Sequence, residues 1–252
     1  MIPPEHEAYY TEKVVYLPDT YQVNDSKRRI AERTPTRAEA KLPDTGFVFC
    51  CFNNNYKITP DIFDIWMRLL NKVQGSVLWL LGDNVAASRN LRHESERRGV
   101  APERLIFAEM IKLDEHLARH KLADLFLDTL PYNAHTTASD ALWAGLPLLT
   151  CQGTTFPGRV AASLLNAVGL PELITWSLEE YEALALYLAT RPTLLTDIRA
   201  KLARNRATHP LFDTDRFRRH LDSAYFTMWE RVQRGEPPVS FAVQHSRPMA
   251  LR

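Results

Sequence analysis

Leu127-Asp128-Thr129-Leu130-Pro131-Tyr132-Asn133-Ala134-His135-Thr136-Thr137-Ala138-Ser139-Asp140 decides how this chain is read, because it runs from a buried strand through a tight loop into a hydroxyl-capped helix. Thr136 or Thr137 is the expected N-cap. The backbone N–H groups of the next turn have no intrahelical acceptors and point outward at the positive end of the helix dipole. That is an anion site, and a phosphate fits it. Asp140 lies four residues after Thr136 on the same helix face, where its carboxylate can accept hydrogen bonds from ribose hydroxyls beside the phosphates. An ordinary helix cap followed by a first-turn acid fits the same residues.

Outward from this stretch, apolar runs alternate with amphipathic segments. Phe47 to Phe52, Val77 to Leu81, Leu105 to Ala108, Leu125 to Asp128, Leu146 to Thr150 and, more weakly, Leu173 to Trp176 read as strands. Strands separated by helices predict a parallel α/β sheet. The first intervening helix has Thr59 as cap and Pro60 at its first position, with Ile62, Ile65, Trp66 and Leu69 forming an i, i+3, i+4, i+7 stripe. Ser177 and Glu180 have capping-box spacing, and Gly99 stops a charged helix from about Ala87 to Arg98. Gly145 and Pro147 set a tight helix-to-strand connection. Before the sheet, Lys13 to Leu17 reads as a short strand and Pro18 to Asp44 as a linker. A last long helix from about Asp213 to Gln233 carries Phe217, Leu221, Ala224, Tyr225, Met228 and Val232 along one side, a pattern expected of core packing. Asp213 and Asp215 at its start suit the helix dipole better than a metal, since no cluster of oxygen ligands accompanies them.

Composition narrows the function classes. The 252 residues are 45% hydrophobic and 24% charged, enough to bury a sizeable core. A formal net charge of +1 argues against binding driven by the charge of nucleic acid or a membrane surface, and no apolar run is long enough to span a bilayer. A small molecule or another protein is the expected partner. Met1-Ile2-Pro3-Pro4-Glu5-His6-Glu7 lacks the basic and apolar regions of a signal peptide. Cys50, Cys51 and Cys151 are odd in number, and adjacent strand residues point to opposite faces, so a reducing cytoplasm is expected rather than a disulfide framework. There is no Gly-x-Gly-x-x-Gly, no Gly-rich loop ending in Lys-Ser/Thr and no His-Glu-x-x-His, which disfavours dehydrogenase, phosphate-loop ATPase and zinc protease chemistry.

Several separated motifs carry a resemblance. Phe52-Asn53-Asn54-Asn55-Tyr56-Lys57, Val77-Leu78-Trp79-Leu80-Leu81, Glu115-His116, Leu122-Ala123-Asp124, His135-Thr136-Thr137 and Leu142-Trp143-Ala144-Gly145-Leu146-Pro147 stand in the order found in the intracellular protein O-GlcNAc transferases. From about Tyr9 to Phe241 the chain resembles the C-terminal catalytic half of these SPINDLY-like enzymes, in a bacterial-type form. The resemblance implies a GT-B glycosyltransferase and, within it, the C-terminal Rossmann-like lobe with a long C-terminal helix. Residues 1–44 would be the remnant of an N-terminal lobe and a linker, 45–241 the nucleotide-sugar-binding lobe, and 242–252 a flexible tail.

By the same resemblance the donor is UDP-GlcNAc, transferred with inversion to Ser or Thr of proteins, with no metal and no cofactor. Lys57 would contact the donor diphosphate and act catalytically, which suits the chemistry: negative charge grows on the departing phosphate, and a fixed ammonium beside a helix N-terminus stabilises it. Asn54 stands where relatives carry glutamine and would reach the donor with a shorter amide. His116 and Arg119 share a helix face and would border the nucleoside; relatives often have lysine three residues before this histidine, whereas Leu113 stands here. His135 has the titration range of a general base, but the resemblance implies a positioning role, holding the diphosphate with the amides around Thr136 and Thr137 while Asp140 takes the ribose hydroxyls.

The family also implies an N-terminal lobe and tetratricopeptide repeats that present acceptors, and neither is in this sequence, so the chain is expected to be an incomplete catalytic region. A non-catalytic nucleotide-sugar-binding or interaction module is the reading from another class, and relatives that glucosylate Asn or use GDP-fucose are the nearest enzymatic alternatives.

Overall fold

The computed structural model describes residues 1–244. Its centre is a six-stranded sheet of β2 (Val48–Cys51), β3 (Val77–Leu81), β4 (Leu105–Ala108), β5 (Leu125–Leu127), β6 (Leu148–Cys151) and β7 (Ile174–Thr175), in the order β4-β3-β2-β5-β6-β7. All neighbours are parallel, with Cys50 opposite both Trp79 and Phe126. Every residue of β2, β5 and β6 is buried, as a parallel sheet covered on both faces requires. The Rossmann-like lobe expected from the alternating sequence is present.

The helices are α1 (Pro60–Lys72), α2 (Val85–Glu96), α3 (Leu113–Arg119), α4 (Thr136–Ala144), α5 (Val160–Ala167), α6 (Leu178–Ala189), α7 (Pro192–Thr208) and α8 (Thr214–Gln233). Pro60 opens α1, whose Ile62, Ile65, Trp66 and Leu69 are buried as their spacing predicts. Trp66 Nε1 donates to the Tyr181 hydroxyl of α6 at 3.2 Å, and that hydroxyl donates to the Asp128 carbonyl at 2.9 Å, so two helices are pinned to the end of β5. Ser177 caps α6 by accepting from Glu180 N, and Glu180 accepts from Trp176 N, a variant of the expected capping box. The chain steps from β2 to β3 to β4 on one side, then returns to place β5 beside β2. That reversal opens a crevice at the carboxyl ends of β2 and β5, the place where open α/β sheets take ligands.

Three expectations need correction. His135, not Thr136 or Thr137, is the residue before α4, and it makes no side-chain cap bond; Thr136 is already helical. The 18–44 segment is not a free linker, for Gln22, Asn24 and Arg28 bond to α4 and to the approach to α8. The apolar side of α8 is not core: Tyr225, Met228 and Val232 are exposed together with Phe226 and Trp229, and only His220 and Ala224 of that helix are buried. The sheet is covered by other helices, so periodicity gave the face of α8 but not its neighbour.

A second, two-stranded sheet pairs β1 (Val15–Tyr16) in parallel with β8 (Phe241–Ala242). Ala242 and Val243, read from sequence as the start of a flexible tail, are thus held, with Val243 N donating to Tyr16 O and its side chain buried. The rest of that expected tail, 245–252, lies outside the described residues.

Gly46 shows how tightly the strand entries are fitted. Its φ is +103°, and a Cβ there would meet the Gly75 carbonyl oxygen at 2.2 Å. Gly75 has φ +71° but open space around a Cβ. Gly46→Ala should therefore lose more than about 2 kcal/mol of stability and Gly75→Ala only about 1 kcal/mol. Denaturant unfolding of the two variants checks this; equal losses would mean that the Gly46–Gly75 approach gives way freely.

Candidate functional site

The loop that follows β5 is organised by Asp128. Its Oδ1 accepts from Thr129 N at 2.8 Å and Ala134 N at 2.6 Å, and its Oδ2 accepts from the Thr150 hydroxyl of β6 at 2.6 Å. Asn53, immediately beyond β2, donates through Nδ2 to the Thr129 hydroxyl at 2.8 Å and more weakly to Asp128 at 3.4 Å, while its Oδ1 accepts from the Thr137 hydroxyl. The ends of β2, β5 and β6 and the first turn of α4 are joined in one buried network. Burial pushes the Asp128 carboxyl up to about 7, against the opposing pull of Thr150, two backbone N–H groups and Lys57.

Lys57 stands over this loop. It closes a short helical turn after β2, Asn55–Lys57, and its Nζ donates to the Asn133 carbonyl at 2.9 Å. The ammonium lies 4.0 Å from the Tyr132 ring centroid, and the Tyr132 ring in turn stacks on His135 at 5.0 Å and 24°. The peptide bond between Leu130 and Pro131 is cis. Lys57 is half-buried, and that burial lowers its pKa from the ordinary lysine value while Asp128 opposes the change. His135 is also shifted down, chiefly by burial, with its ring near the Pro157 carbonyl at 3.4 Å.

Phe52, Asn54, Leu81, Met110, Ile111, Leu113, His116, Arg119 and Thr137 line a cleft of about 370 Å³ beside this loop. Four of the residues singled out from sequence, Asn54, His116, Arg119 and Thr137, therefore meet in one place. His116 packs against Phe52 and His120 at ring distances of 5.2 and 4.7 Å, and burial with the neighbouring His120 and Arg119 charges pushes it down to about 3. It is neutral near pH 7, a flat imidazole at an apolar wall. Arg119 is 4% exposed, lies 4.8 Å from the Phe52 centroid and donates to the Glu109 carbonyl at 2.7 Å. It forms the floor of the cleft. Asn54 is exposed at its rim.

Thr136 and His135 face elsewhere, into a cavity of about 440 Å³ walled by the 21–28 segment. Asp140 lines neither space: it is 6% exposed and paired with Arg28. Asn53, Asp128 and Arg28 escaped the sequence reading. A trace of the first two is legible, since an acid directly after an apolar strand and an amide directly after another sit at the ligand-bearing ends of a parallel sheet. Asp213 accepts from Arg216 N at 2.8 Å as the cap of α8, and among the described residues no three His, Cys, Asp or Glu side chains gather as a metal site. No described helix is long and apolar enough to cross a membrane.

Comparison with known proteins gives a consistent set of likenesses. The family model Glycosyl transferase family 41 matches residues 31–221. A probable UDP-N-acetylglucosamine–peptide N-acetylglucosaminyltransferase, SEC, from Arabidopsis thaliana is 39% identical over 247 residues, covering 96% of this chain and 25% of that protein. The Caenorhabditis elegans UDP-N-acetylglucosamine–peptide N-acetylglucosaminyltransferase is 38% identical over 202 residues, or 80% of this chain and 18% of its own length. A solved O-GlcNAc transferase mutant from Thermobaculum terrenum superposes with a TM-score of 0.78 at 31% identity, covering 93% of this chain and 44% of that one. Sucrose-phosphate synthase from Thermosynechococcus elongatus, at 14% identity and a TM-score of 0.59 over 82% of this chain and 51% of its own, shares the fold alone. The chain spans about a quarter of the length of the Arabidopsis protein.

The raised pKa of Asp128 has a measurable sign. From about pH 4, where an unfolded aspartate loses its proton, up to about pH 7, the native protein still holds that proton, so rising pH favours unfolding through this window. Outside the window Asp128 contributes no slope. Asp128→Asn keeps the shape and removes the titration, so the variant should gain on the parent by a few kcal/mol as pH rises from 4 to 7. Unfolding free energies across that range test it; parallel profiles would show that Asp128 is ionised throughout.

Proposed function

Because the chain belongs to glycosyl transferase family 41, with the Rossmann-like lobe of a GT-B enzyme, we propose that it binds UDP-GlcNAc at the ends of β2 and β5. Within a larger catalytic region it transfers GlcNAc, with inversion and without a metal, to Ser or Thr hydroxyls of proteins. Residues 45–241 form the donor lobe in this reading, 1–44 a remnant of the acceptor-side lobe whose later part is bonded to the donor lobe, and the cytoplasm the place of action. The carrying observation is the placement of Lys57 over the loop that leads into α4.

Breaking the bond from the sugar to the diphosphate leaves negative charge on the departing oxygen. Lys57 supplies a partly desolvated ammonium there, and the free N–H groups of Thr136 and Thr137 supply the dipole end of α4, so stabilising charge is in place before it is needed. Tyr132 and the Asn133 carbonyl aim the ammonium. The cleft with His116 as apolar wall, Arg119 as floor and Asn54 at the rim suits a uracil ring and the start of the diphosphate. His135, stacked on Tyr132 and shifted down by burial, serves as a positioning group. Asp140 is assigned to the ribose hydroxyls. One other reading is a nucleotide-sugar-binding module that does no chemistry by itself.

Each charge-assisted phosphate contact is worth about 1.5–3 kcal/mol, so Lys57→Ala should weaken UDP roughly ten- to hundredfold and leave uridine nearly unchanged in calorimetry. Equal loss for both ligands would remove Lys57 from the phosphate site. Joined to an N-terminal lobe and repeats of its family, the chain should label Ser or Thr peptides from UDP-GlcNAc, unaffected by chelators. Tight donor binding with no labelling would leave the binding module standing.

A further inference from the structure

Among the described residues, the buried carboxylate of Asp140 is held by one partner. Arg28 reaches it from the segment before the sheet, Nη1 to Oδ1, with side chains only 13% and 9% exposed. Arg28 is itself fixed: its guanidinium lies 5.7 Å from the Trp143 ring centroid, and its carbonyl accepts from Trp143 Nε1 at 3.2 Å. Two further bonds fasten the same segment, from Gln22 Nε2 to Ser139 Oγ at 2.9 Å and from Asn24 Nδ2 to the Leu211 carbonyl at 3.1 Å. Ser139, Asp140 and Trp143 form one edge of α4, so the strap lies along the helix that presents its N-terminus to the diphosphate. Among the described residues Oδ2 of Asp140 accepts no hydrogen bond.

Resting on the assignment of Asp140 to the ribose, we propose that Arg28 is a positioning residue of the donor site: Asp140 lines neither space by itself, and Arg28 pins one of its carboxylate oxygens so that the unbonded one is left, charged, to accept from the ribose hydroxyls. A carboxylate this deeply buried tends to take up a proton, and a protonated acid accepts from one hydroxyl less well and competes as a donor. Burial does push the Asp140 carboxyl up, and Arg28 is what opposes it. Without the guanidinium, Asp140 is free to rotate and to neutralise. Arg28 therefore reads the sugar ring of the nucleotide through Asp140 without touching it, and a segment outside the sheet becomes part of the donor site.

The test compares UDP with 2′,3′-dideoxy-UDP on the full chain by calorimetry. Arg28→Ala should shrink the preference for UDP by roughly fivefold or more, while dideoxy-UDP affinity changes little. Arg28→Lys should restore most of the preference, and Asp140→Asn combined with Arg28→Ala should be no worse than Asp140→Asn alone. Arg28→Gln, close in size, serves if the alanine variant does not fold. Equal weakening of both nucleotides, unchanged affinities, or additive losses in the double variant would overturn the proposal. If Asp140→Asn alone leaves the preference unchanged while the parent binds UDP, the fault lies in the ribose assignment; if the parent binds no UDP, it lies in the donor site as a whole.

Discussion

Everything at the crevice is referenced to the carboxylate of Asp128. Its oxygens gather bonds from its own loop, from the residue before His135 and from β6, and Asn53 links the same knot to β2 and to Thr137. A buried carboxylate is costly unless its lone pairs are filled, and here donors fill them. What this arrangement secures is direction: the loop from Thr129 to Ala134 cannot slide without leaving buried polar groups unpaired, so the Asn133 carbonyl that aims Lys57 and the start of α4 share one frame. Tyr181 and Trp66 extend that frame into the helical layer. Lys57 and Asp128 also act on each other's titration in the favourable direction, although burial dominates for each.

The sheet was legible because its signal is local. Strands such as Val77 to Leu81 are apolar throughout, as a sheet covered on both faces demands, and Pro60 and Gly99 mark helix ends by backbone constraints that hold in any context. The start of α4 was legible for the same reason, even though the cap residue differs by one or two positions from the one expected. What depends on distant partners was not. Nothing in the residues near Arg28 announces that it meets Asp140, 112 positions away. Tyr225, Met228 and Val232 repeat as a core stripe would, yet burial depends on what else the fold brings to that side, and among the described residues they stay exposed.

Asn54 and Asn53 illustrate the limit of motif reading at a single site. The motif singled out Asn54, which lies exposed at the cleft rim, whereas its neighbour is 2% exposed and joins three elements. Adjacent residues leaving a strand point to opposite sides, so one amide of the run faces solvent and the next faces the interior. Which is which is decided by register with β5, a tertiary fact.

The pairing of β1 with β8 gives the molecule an unusual chain closure. Val14 and Ser240 are 226 positions apart and still exchange a hydrogen bond, so the small sheet encloses almost the whole polypeptide in a single loop. The entropy of closing a loop that long must be met before two short strands can repay it, which places this contact late in folding, after the large sheet has drawn the ends together. Late contacts are also the first to open. The segments of β1 and β8 are thus one thermodynamic unit, and a protease cut within either is felt at the other.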